Sequence, residues 1–169
     1  MNKINKILVF DMDGTIADFY GVENWQHYLD DLQDETPYRI AKPMYDMSEL
    51  NSILMKLKSQ GWYIVVNSWL SRVSTDPTFH SRIEKAKREW LNNYNFPADF
   101  LIFTPYGVDK HAPFEDHNGR HILIDDNDEI RNTWHGETIN ANENILPALR
   151  ALLSEDNDRA NYAVKYITD

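Results

Sequence analysis

The sequence predicts an α/β domain, a doubly wound parallel sheet with a small helical lid inserted after the first strand. Four runs of strand length, Lys6 to Phe10, Trp62 to Val66, Phe100 to Phe103 and His121 to Ile124, are rich in Val, Ile, Leu and aromatic residues. Their apolar character is nearly continuous rather than alternating, as in strands buried on both faces. Helical patterns separate the runs, which is the signature of successive β-α-β units.

At 169 residues the chain is long enough for one well-buried core and short for two, so residues 1–169 read as a single domain with 19–46 as the lid. Hydrophobic residues make up 42% of the sequence, enough to rule out global disorder.

The first strand ends at Phe10 and is followed by Asp11. The stretch from Phe19 to Asp46 is longer than a crossover requires, and it holds Trp25, Tyr28, Tyr38 and Tyr45 together with His27, Arg39 and Lys42. That mixture can stack on a ring and pair with an anion, although packing onto the domain is the commoner role for any one aromatic. Ser48 is placed to cap a helix whose Leu50, Ile53, Leu54 and Leu57 share one face, and Gly61 follows as its stop signal. Asp76-Pro77 opens a second helix, with Phe79, Ile83, Ala86, Trp90 and Tyr94 in helical spacing. A third is expected near Asn144 to Leu153, using Ile145, Leu149 and Leu152. The polar end, Ser154 to Asp169, is expected to fray or to form a loosely docked helix.

The net charge of -10 repels nucleic-acid backbones, and no run of Lys or Arg offsets it, which argues against a long polyanion as partner. A small phosphate would need local help from a metal or a few cations. The absence of cysteine removes disulfides, thiolate catalysis and cysteine metal sites. The apolar stretch Ile7 to Phe10 is too short for a signal-peptide core or a membrane span, so the expected location is cytoplasmic, with no membrane partner.

In doubly wound sheets, ligands bind beyond the carboxyl ends of the strands, so residues just past each apolar run should converge. They are Asp11 and Asp13, then Asn67 and Ser68, then Thr104 and the later Lys110, and finally Asp125 and Asp126. Carboxylates crowded together repel one another and take up protons unless a cation sits among them. A hard divalent ion with oxygen ligands resolves that conflict, and magnesium fits best, because it combines one or two carboxylates with waters and substrate phosphate oxygens.

The run Ile7-Leu8-Val9-Phe10-Asp11-Met12-Asp13-Gly14-Thr15, followed by Asn67-Ser68, Asp109-Lys110 and Ile122-Leu123-Ile124-Asp125-Asp126, resembles the four motifs of the haloacid dehalogenase superfamily of phosphohydrolases, in the family's order. The resemblance implies that Asp11 attacks phosphorus and forms an aspartyl-phosphate. It also implies that Asp13 protonates the leaving oxygen and then activates water. Ser68 takes the hydroxyl role of the second motif with Asn67 as an auxiliary, though many members place the hydroxyl where Asn67 stands. Lys110 takes the lysine role, neutralising phosphate charge. Lys85 and Lys87 compete for it but fall within the amphipathic second helix, where a charge is usually a solvated face. The implied magnesium set is Asp11, Asp13 through its backbone carbonyl, Asp125 and Asp126. Asp128 and Glu129 fall in the first turn of a following helix, where negative charge suits the dipole.

Asp-Gly and Asp-Asp pairs taken singly are common in turns, but four signals at successive strand ends point to phosphoryl transfer. A signalling receiver domain uses similar groups in another order, with its acidic pair early and its lysine last. A phosphate- and magnesium-binding domain without activity is a further alternative. Among enzymes, the short segment after the first motif, Asn67-Ser68-Trp69 and Asp109-Lys110 look most like small relatives of the 5'-nucleotidase and deoxyribonucleotidase branch. That likeness implies a nucleoside monophosphate substrate, with Trp25, Tyr28 or Trp69 to stack on the base. A phosphatase of sugar phosphates or of nucleic-acid 3' ends would use the same core.

Overall fold

The computed structural model describes residues 5–155. Its centre is a five-stranded, wholly parallel sheet of β1 (Lys6–Phe10), β4 (Trp62–Trp69), β5 (Phe100–Thr104), β6 (Arg120–Asp125) and β7 (Glu137–Asn140), in the order β5-β4-β1-β6-β7. All four expected strands are present, each within a few residues of its expected bounds. The edge strand β7 has no counterpart in the sequence reading, because Glu137-Thr138-Ile139-Asn140 is short and mostly polar.

Side chains of β1 alternate between two apolar clusters. Leu8 and Phe10 join Ile64, Val66, Ile122 and Ile124 beneath α3 (Met47–Ser59), α4 (Pro77–Asn93) and a last helical stretch at 146–155. Ile7 and Val9 join Val65, Leu123, Phe114 and Trp134 on the other face, which is covered by the 105–119 loop and the short α5 (Asp128–Thr133). Burial on both faces explains the unbroken apolar runs.

Caps refine the helix boundaries. The first long helix is capped by Asp46, whose carboxylate accepts from the backbone N–H groups of Ser48 and Glu49, so Ser48 lies inside the helix rather than at its cap. Asp is as good a cap as Ser, and its position one residue before Met47 lets that apolar side chain join the core. Asp76 caps the second as expected, accepting from Thr78 N–H at 3.0 Å. Asp128 and Glu129 occupy the first turn of α5 behind an Asn127 cap.

The insertion after β1 closes at its base through a two-stranded antiparallel ribbon, β2 (Ala17–Asp18) with β3 (Lys42–Pro43). Between them run α1 (Trp25–Asp30) and α2 (Thr36–Ile40). Phe19, Leu29 and Tyr38 of this segment pack on Phe79, Ile83 and Ala86 of α4, so the insertion has an apolar seat on the domain. No helix among the described residues is long and apolar enough to cross a membrane. The expectation for the chain end from residue 156 onward lies outside the described residues.

Candidate functional site

Register decides what meets at the carboxyl end of the sheet. Phe10 is level with Val66 on one side and Ile124 on the other, so the next residue, Asp11, comes between Asn67 and Asp125. Asp11 N–H donates to the Ile124 carbonyl at 2.9 Å, extending the parallel ladder to the nucleophile candidate. Gly14, at a φ of 79°, turns the chain back immediately afterwards.

A cavity of about 160 Å³ opens here. Asp11, Asp13, Ser68, Trp69, Lys110, Asp125 and Asp126 all line it. The sequence-nominated Asn67 and Thr104 do not. Asn67 is buried, and its Nδ2 donates to the backbone carbonyl of Lys110 at 2.8 Å, holding the loop that delivers the lysine. Trp69 supports the same loop, donating from its indole N–H to the Val108 carbonyl at 2.7 Å.

Lys110 is buried, and its Nζ lies 2.7 Å from both Asp11 Oδ1 and Asp125 Oδ2. Burial works to lower its pKa, but the two carboxylates outweigh that and hold it above the ordinary lysine value. The Trp69 ring centroid lies 5.1 Å from the same ammonium.

Lys87 departs from its expected place on a solvated helix face: its side chain is fully buried. Phe79, Ile83, Lys87 and Leu91 recur every fourth residue and all four are buried, so the lysine belongs to the inward stripe of α4. Its Nζ donates to Asp13 Oδ2 at 2.5 Å, to Ser68 Oγ at 2.9 Å and to the Trp69 carbonyl at 2.7 Å. Charge outweighed apolar spacing in the sequence reading, yet the spacing from Ile83 to Leu91 was the signal that could have found it. Lys85 stays exposed, in an ion pair with Glu89.

Asp11, Asp125 and Asp126 present carboxylate oxygens within 4.8 Å of one another, an all-oxygen set suited to a hard divalent cation. The carboxylate of Asp13 is not in this group. Burial, opposed by Lys87, raises its pKa. Burial first, then repulsion from Asp11, pushes Asp125 up to about 6. Burial, then Asp11 and Asp125, pushes Asp126 up to about 7. With all four carboxylates ionised, the two lysines leave two negative charges uncompensated, which one divalent cation would neutralise. Magnesium, a hard cation with oxygen ligands, fits this donor set.

Aromatic side chains form much of the remaining wall. Tyr20, Trp25 and Tyr38 come from the insertion, Trp69 ends β4, and Tyr106 follows β5 with its ring centroid 4.7 Å from that of Trp69. Arg72 also lines the opening and makes no ion pair among the described residues. Neither Tyr20, Tyr106 nor Arg72 carried a signal in the sequence, since each lies in an irregular segment. The other insertion residues divide. Tyr45 packs against the core, His27 pairs with Asp31, and Arg39 pairs with Glu35 and Glu89. Tyr28 and Lys42 do not line the cavity.

Neither the protein-family models nor the curated proteins compared with the sequence give a match. Among solved structures, a chain of a Pnkp1/Rnl/Hen1 complex is similar at 16% identity and a TM-score of 0.56, over 83% of this chain and 47% of that one. A chain of a Pnkp1/Rnl/Hen1 RNA repair complex is similar at 16% identity and a TM-score of 0.54, over 81% of this chain and 42% of that one. The chain thus spans less than half the length of the chains it matches, and at this identity the likeness concerns the fold.

Proposed function

We propose that this protein is a magnesium-dependent phosphomonoester hydrolase that works through an aspartyl-phosphate on Asp11. The observation that carries the reading is the meeting of Asp11, Asp125 and Asp126 as a metal-sized oxygen cluster with Lys110 bridging Asp11 and Asp125.

A carboxylate oxygen of Asp11 attacks phosphorus while the ester P–O bond breaks. Asp13, kept protonated more readily by burial, gives its proton to the departing oxygen. The same carboxylate then takes a proton from water as that water attacks phosphorus, and the Asp11–phosphorus bond breaks to release inorganic phosphate. Ser68 and Lys110 hold phosphoryl oxygens. Asp11, Asp125, Asp126 and the Asp13 carbonyl would hold magnesium, whose charge offsets the phosphate and the acidic wall.

The aromatic wall of Tyr20, Trp25, Tyr38 and Trp69 favours a substrate with a flat ring, and we read it as a nucleoside monophosphate. The similarity to chains from an RNA repair complex favours a second substrate reading, a nucleic-acid 3'-phosphate. Phosphate release measured with magnesium across nucleoside monophosphates, sugar phosphates and 3'-phosphorylated oligonucleotides distinguishes these. Asp11→Asn is expected to abolish release and retain the fold; turnover near the wild-type rate in that variant would remove Asp11 from the reaction.

A further inference from the structure

Two buried lysines divide the polar groups of the cavity between them without overlap. Lys110 holds Asp11 and Asp125, whereas Lys87 holds Asp13 and Ser68. Lys87 itself is fully buried and does not line the cavity, although both of its side-chain partners do. It therefore cannot touch a substrate.

We infer that Lys87 is a positioning residue that sets Asp13 for proton transfer. This rests on the phosphatase reading above. All three protons of its ammonium group are engaged, on Asp13 Oδ2, Ser68 Oγ and the Trp69 carbonyl. The hold on Oδ2 leaves Asp13 Oδ1, which takes no hydrogen bond among the described residues, as the oxygen that carries the transferred proton. Ser68 Oγ and the Trp69 carbonyl accept from the same ammonium and fix its place beside Asp13. In the transfer step the proton passes from Asp13 Oδ1 to the leaving oxygen as the ester bond breaks, and Lys87 keeps its own three protons throughout. The ring of Tyr38, centred 4.9 Å from Nζ, backs the ammonium from the insertion side, so the seat of the insertion and the placement of the proton donor share one lysine.

A residue that acts through a proton donor matters most when the leaving group needs a proton. The test compares kcat/KM, which reports transfer to Asp11, for an alkyl phosphate and for p-nitrophenyl phosphate, whose phenolate departs without protonation. Lys87→Met is expected to lower kcat/KM on the alkyl ester about 100-fold and to change it by no more than about threefold on the p-nitrophenyl ester. Asp13→Ala should show the same selectivity, and adding Lys87→Met to it should cost nothing further on either ester. Equal losses on both esters, or none on either, overturn the inference while leaving the phosphatase reading intact. A wild-type protein inert toward both esters overturns the phosphatase reading and the inference with it. Should Lys87→Met fail to fold, the cysteine-free chain allows Lys87→Cys to be aminoethylated in denaturant and refolded. Restoration of alkyl-ester turnover by the aminoethyl group but not by a neutral alkyl group supports the inference, and restoration by both refutes it.

Discussion

The carboxylate of Asp126 closes over the bare Cα of Gly14: a β-carbon built there would stand 2.6 Å from Asp126 Oδ2 and 2.8 Å from the Tyr20 ring. The φ of 79° at Gly14 adds a conformation that side chains disfavour. Gly14→Ala is therefore expected to lose about 1–2 kcal/mol of stability from backbone strain alone. It should also weaken magnesium binding, because Asp126 must retreat. Denaturant unfolding and a magnesium titration followed by thermal shift check both, and unchanged magnesium affinity would show that Asp126 is not needed for the metal.

The pH dependence of the metal-free protein follows from Asp125 and Asp126. In the folded chain they keep protons up to about 6 and about 7, whereas an aspartate with its ordinary value of 3.8 loses its proton well below that. Over that window the folded state binds the extra protons, so their contribution to stability falls as pH rises. Asp126→Asn removes part of that fall. Thermal melts in chelator from about pH 5 to pH 8 should show wild type losing ground to Asp126→Asn as pH rises. Stabilisation by magnesium should grow over the same range, because the ion binds the ionised carboxylates. A gap between the two proteins that stays constant with pH would contradict the assigned burial and repulsion.

Asn67 and Ser68 are neighbours with different expected losses. Ser68→Ala keeps the fold and is expected to lower kcat/KM by about tenfold or more, through a lost phosphoryl contact. Asn67→Ala leaves the buried Lys110 carbonyl without its donor and is expected to cost about 1–3 kcal/mol of stability. Equilibrium unfolding alongside kinetics separates the two; the reverse pattern would transfer the second-motif role to Asn67.

Trp25 lines the cavity from the insertion. Trp25→Ala is expected to raise KM for a nucleoside monophosphate by about tenfold, the scale of one lost ring stack. KM for a small ester without a ring should hold steady. An equal rise for both substrates would mean that the ring supports the insertion rather than the base.

Legibility in the sequence varied with how local each signal was. The strands that carry Asp11, Ser68 and Asp125 are apolar runs flanked by polar residues, and both features are set within a few positions. The Asp76-Pro77 start of α4 is equally local. The cap of α3 was misplaced by two residues because Asp46 and Ser48 offer similar cap chemistry, and the packing of Met47 chooses between them. Side-chain direction at Asn67 and Ser68 was open, since it depends on which face of β4 meets the cavity.

By itself the sequence determined the parallel α/β scaffold, the order of its chemical groups and the acidic character of its rim, because apolar periodicity and strand-end chemistry are written in short segments. Only the tertiary structure decided how Lys87 and Lys110 divide the carboxylates. A buried ammonium is stable only where acceptors converge on it. For Lys87 those acceptors come from residues 13, 68 and 69, brought together by the register of β1 against β4 and the seating of α4.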